Sequence, residues 1–133
     1  MQRLSFAFFT FDALCGLAGM ILGGRMGSSG DHSAPSAHTH LNLLGRVGMA
    51  IMGALHALAA GRVPPALGGT NFMLSGVGAI VLPTAMLLLM GGGGHDLVRL
   101  VIAGGMSAIL GMAVFLASVL VAWRRAEPTP LPT

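Results

Sequence analysis

Long apolar segments constrain this chain more than any other feature of its sequence. Each is about 20 residues long or longer, which is the length that a helix needs to cross the hydrocarbon core of a bilayer. Inside a bilayer every backbone N–H and C=O must be paired within the segment, so only helices or closed barrels are possible. The sequence therefore predicts an all-α integral membrane unit with four helices, at residues 4–23, 37–60, 71–90 and 97–123. These helices form one domain, residues 1–125, and a proline-containing tail at residues 126–133 is predicted to be disordered.

The composition supports a membrane setting and excludes a nucleic-acid partner. Hydrophobic residues make up 54% of the 133 positions and charged residues only 8%, whereas about a quarter of the residues in soluble domains are charged. The net charge of +3 reflects scarce acids, and no basic face with interleaved aromatics marks a nucleic-acid site. A cleaved signal peptide is a competing interpretation of the first segment, but this segment is too long and contains Asp12.

The arginines predict the orientation of the helices. Four of them flank one side of the four-helix unit: Arg3, Arg62, Arg124 and Arg125. Only Arg25 and Arg99 flank the other side. Because cytoplasmic loops carry the excess of positive charge, we expect a multi-pass protein of a bacterial-type inner membrane with both termini in the cytoplasm. The histidines predicted to share the outer face are His32, His38, His40 and His95, and His56 lies at the opposite end.

Two histidines separated by one residue open the second segment. On an α-helix two positions span about 200° of rotation, so His38 and His40 point to opposite flanks. Histidines that chelate one ion along a helix are four residues apart, as in HExxH zinc sites. The spacing therefore predicts that each histidine serves a different partner.

A longer pattern follows the pair, namely Leu44-Gly45-x-Val47-Gly48-Met49 and then Gly53-Ala54-Leu55. Together with His38-x-His40 it resembles the tenth transmembrane helix of subunit I of haem-copper oxidases, closest to C-type cytochrome oxidases and nitric oxide reductases. In that family one histidine ligates the high-spin haem and the other ligates the low-spin haem. The resemblance implies that His38 and His40 ligate the iron of haem b. It also implies electron transfer, or binding of a diatomic gas, as the function. Arg46 departs from the pattern, because the family usually has an aromatic residue there.

The resemblance also implies an assembly. Family subunit I has twelve helices in three arcs of four, and the His-x-His helix is the second of its arc. Here the motif also opens the second of four helices, so a homotrimer would recreate the twelve-helix plan. In such a ring, His38 of one copy and His40 of its neighbour would face each other across a haem. Glycines in all four segments favour close helix packing, and hence association, in lipid.

A polar stripe continues the face of His38 along the second segment. Asn42 and Arg46 follow at steps of four residues, which places both beside a haem bound on this face. An unpaired arginine inside a membrane costs several kcal/mol. Asp12 lies at a similar depth in the first segment, so we expect an Asp12–Arg46 ion pair, and a haem propionate is the alternative partner. His56 lies 18 positions after His38, about 27 Å along the helix, too far to share a haem within one chain.

Two other functions remain open from the sequence. The outer face offers donors that copper and zinc favour, and such a site would combine His32, His38, His40 and His95 with Asp31 and Asp96. Alternatively, the chain is an assembly subunit that keeps the helix pattern without the cofactor. The sequence has no set of residues typical of hydrolytic or nucleophilic catalysis. The absence of tyrosine and of further copper-ligand histidines argues against full oxidase chemistry. A redox partner protein and membrane lipid are the expected partners beyond other copies of the chain.

Overall fold

Four long helices make up almost all of the structure, a computed structural model that describes residues 2–30, 34–59 and 61–126. They are α1 (Gln2–Ser29), α2 (Pro35–Leu58), α3 (Pro65–Met90) and α4 (Leu97–Arg124). All four are long and apolar enough to cross a membrane, which confirms the predicted all-helical, four-helix architecture. Of the predicted tail at residues 126–133, all but Ala126 lies outside the described residues.

Two helices are longer than predicted. α1 continues past its predicted end at residue 23 and stops before Gly30, whose φ of +68° is the left-handed conformation common just after helices. α3 begins at Pro65 rather than at residue 71, since proline suits the first helical position, where its missing N–H costs no hydrogen bond.

The middle of α2 is a π-helix, which the sequence did not predict. Residues Leu41–Gly48 are π-helical, between α-helical segments at Pro35–His40 and Met49–Leu58. A π-helix pairs each residue with the fifth one along, so its turns are wider, and such segments are found frequently at functional sites. The π-helical segment begins directly after His40 and packs along α1.

The first three helices pack against one another, and α4 makes its main contacts with α3. α1 packs on α2 and α2 on α3, and Phe8 and Phe11 of α1 also meet the Phe72 ring of α3 edge to face. Only 11% of the residues in the apolar stretch of α4 are buried. The outer faces of α1 and α4 are therefore available to lipid or to other copies of the chain.

The lack of side chains at two glycines allows α3 and α4 to pack in close contact. A β-carbon added to Gly78 would lie 2.6 Å from the backbone nitrogen of Ala108, and one added to Gly104 would lie 2.6 Å from that of Leu82. By contrast, a β-carbon on the neighbouring Gly105 would meet no atom within 4 Å. Gly78 and Gly104, which were expected to favour association between chains, therefore allow close packing within one chain.

Candidate functional site

The two histidines of the His-x-His pair lie near the start of α2, and both are half-buried. The His38 ring lies against Gly23 of α1, where an added β-carbon would be 2.9 Å from the ring atom Cε1. The Nδ1 atom of His40 is 2.8 Å from the backbone oxygen of Ser36 in its own helix. The two residues share the α-helical segment Pro35–His40, so the directions of their side chains differ by about 200°.

A stripe of glycines on α1 faces the polar stripe of α2. We define the glycine stripe as Gly16, Gly19 and Gly23, and the polar stripe as His38, Asn42 and Arg46. The two stripes contact each other in antiparallel order, with Gly23 against His38, Gly19 against Asn42 and Gly16 against Arg46. A β-carbon on Gly19 would lie 2.7 Å from the Asn42 amide, so a larger residue there would displace this side chain. The predicted polar stripe therefore lies at the seam between α1 and α2.

Asn42 positions the His38 end of the polar stripe. Its amide nitrogen donates a hydrogen bond to the His38 backbone oxygen at 2.9 Å, at the point where α2 changes from α-helix to π-helix. The same nitrogen lies 3.5 Å from the His38 ring nitrogens. Asn42 thus restrains both the backbone and the ring of His38.

The Arg46 side chain lies along α1, against Gly16. Its Cδ and Nε atoms are 3.2 Å and 3.3 Å from the position of a β-carbon on Gly16, and the side chain is exposed. Asp12 is half-buried, four residues before Gly16 on the same helix. The Asp12–Arg46 ion pair therefore stays a prediction.

The predicted copper or zinc site is only partly within the described residues. Asp31 and His32 lie outside them, and His95 and Asp96 are exposed in the turn between α3 and α4. Among the residues that the structure describes, no group of three histidine, cysteine or acidic side chains comes close enough to hold a metal ion. The metal site as predicted, with Asp31 and His32 included, stays a prediction.

Sequence reasoning missed a buried polar network near the other end of α2. His56 is 1% exposed, its ring stacks on Phe8 of α1 at a centroid distance of 5.2 Å, and its Nε2 donates to the Asn71 side-chain oxygen at 3.2 Å. The Asn71 amide in turn donates to the backbone oxygen of Gly111 in α4 at 2.9 Å and reaches Ser75 Oγ at 3.3 Å. The network joins α2, α3 and α4. The only signal in the sequence was a histidine and an asparagine within or beside apolar segments.

Comparison of the chain with protein-family models, with curated proteins and with solved structures finds no match. The likeness to haem-copper oxidases therefore rests on the sequence motif of α2 alone.

Proposed function

We propose that this chain is a small b-type haem protein of a bacterial-type inner membrane. In this proposal His38 and His40 are the iron ligands, and the protein acts in electron transfer or in binding a diatomic gas. The observation that carries the proposal is the hydrogen bond between His40 Nδ1 and the Ser36 backbone oxygen.

This hydrogen bond prepares His40 for ligation. Histidines that bind metals almost always donate their other ring N–H to a carboxylate or a backbone carbonyl, which fixes the tautomer and the ring orientation. With Nδ1–H donating to Ser36 at 2.8 Å, the Nε2 lone pair of His40 is left for iron. An ionisable side chain in a membrane helix is itself a functional signal.

His38 is supported by its surroundings. Asn42 holds its backbone and lies beside its ring, and Gly23 leaves room where any other residue would press on Cε1. The π-helix that follows is a second feature typical of functional sites. These contacts hold the His38 imidazole in place on the side of α2 that faces α1, and the ring is still partly exposed. Arg46 is exposed and lies farther along the same seam between α1 and α2. A haem propionate is the alternative to Asp12 as the anion that pairs with it.

The proposed assembly is a homotrimer with both termini in the cytoplasm. The exposed outer faces of α1 and α4 support it, because a closed ring of three copies would cover them. One imidazole from each of two neighbouring copies would then hold each haem. Two histidine ligands give an iron suited to electron transfer with a redox partner protein, whereas one ligand leaves a position open for oxygen or nitric oxide.

The visible spectrum of the purified protein, together with its metal content, tests this function. After expression with ample haem precursor, we expect haem b with a sharp α-band in the reduced state. Copper or zinc without that band would contradict the proposal in favour of metal handling. A colourless, metal-free protein would contradict it in favour of a cofactor-free assembly subunit.

A further inference from the structure

A pocket opens between the end of α1, the start of α2 and the end of α3. Its volume is about 300 Å³, and its lining includes Leu22, Arg25, Met26, Ala34, Leu87 and Gly91. A second pocket of about 70 Å³ shares Leu22 and Leu87 and extends along α3 to Pro83. Because the two pockets share these walls, we treat them as one groove, which runs from the helix ends into the apolar part of the molecule.

The charge of the groove is concentrated at its mouth. Arg25, in the last part of α1, is the one formally charged residue among the described residues of the lining, and the deeper walls are leucine, alanine, proline and threonine. Asp12 and Asp96 are the acidic residues within the described ranges, and neither lines the groove. Asp12 lies 13 positions before Arg25 on α1, which is about 20 Å along the helix. A cation above an apolar channel matches a ligand with an anionic head and an apolar chain.

We propose that this groove binds an anionic phospholipid, with the phosphate at Arg25 and one acyl chain along Leu22 and Leu87. The guanidinium presents a planar fork of donors that matches phosphate. Arg25 also lies near the end of a membrane-spanning helix, at the depth where lipid head groups are found. The deeper part of the groove removes chain methylenes from contact with water and bulk lipid. This proposal does not depend on the binding of haem.

Lipid retention tests the proposal. The full chain is reconstituted in an equal mixture of phosphatidylglycerol and phosphatidylcholine, re-extracted in mild detergent, and analysed by native mass spectrometry. We expect phosphatidylglycerol to be retained preferentially, and Arg25→Gln to reduce its retention about tenfold, the effect of one lost hydrogen bond to a charged group. Arg124→Gln, which removes an exposed arginine outside the groove, is the matched control and should retain lipid as the wild type does.

A second variant keeps the test decisive. Leu87→Trp fills the channel without altering the charge, and we expect it to lose the lipid as well. Equal retention of the two lipids by the wild type, or undiminished phosphatidylglycerol in Arg25→Gln, would overturn the proposal. Inorganic phosphate that binds as tightly as the lipid would also overturn it, since the site would then be one for free anions. Haem lost selectively from Arg25→Gln, with lipid retained, would assign the groove to a propionate and overturn it too.

Discussion

Replacing His38 and His40 together with alanine is expected to abolish haem binding. The two imidazoles are the proposed iron ligands, and His40 is the one with its ring nitrogen Nδ1 already bonded to the Ser36 carbonyl. Both side chains are half-buried near a helix end, so their truncation should leave the four helices intact. The reduced visible spectrum and the haem-to-protein ratio of the purified variant measure the loss.

The control for this experiment is His95→Ala, which removes an exposed histidine from the turn before α4. This variant should keep the spectrum and the haem content of the wild type. If the double variant keeps its pigment, the assignment of the ligands is wrong. If His95→Ala loses haem to the same extent, the iron is held elsewhere at that end of the molecule.

Asn71→Leu is expected to lower the free energy of unfolding by about 3 kcal/mol. The substitution keeps a similar side-chain volume but leaves His56 Nε2 without a partner in a buried site, and it also removes the hydrogen bond from Asn71 to the Gly111 backbone oxygen. Each buried polar group left unpaired costs about 1–3 kcal/mol. Unfolding of the detergent-solubilised protein by denaturant or heat measures the change.

Thr70→Val provides the matched control, since Thr70 precedes Asn71 and is exposed. Its stability should stay within about 0.5 kcal/mol of the wild type, as for most exposed substitutions. An equally small effect of Asn71→Leu would contradict a stabilising role for the network. Because Asn71 interacts near the far end of α2 from His38, the fraction of Asn71→Leu that folds should still bind haem.

The sequence predicted the helices and their order because the bilayer leaves the backbone few alternatives. Apolar length alone identified all four spans, and only their ends were misplaced, as at Gly30 and Pro65. The polar stripe was also predictable, since helical spacing places His38, Asn42 and Arg46 on one face. These features depend on local sequence and on the general properties of membranes.

The contacts between helices could not be predicted in the same way. The glycine stripe on α1 and the polar stripe on α2 are each visible in the sequence, but periodicity does not say which helix packs against which. The His56–Asn71 bond joins residues on different helices, and its register depends on the whole packing. The π-helix of Leu41–Gly48 has no local signature, because such segments form where tertiary contacts compensate for poorer backbone geometry.

Co-expression of the single variants His38→Ala and His40→Ala tests the central claim most directly. That claim is that one imidazole from each of two neighbouring copies holds each haem. The measurement is the haem content of mixed assemblies, purified through different tags on the two variants. We predict that each variant alone lacks six-coordinate haem, and that the mixture regains it because the intact His38 of one copy meets the intact His40 of the next. A mixture that contains no more haem than the separate variants would contradict the account, and so would a single variant that keeps the full reduced α-band.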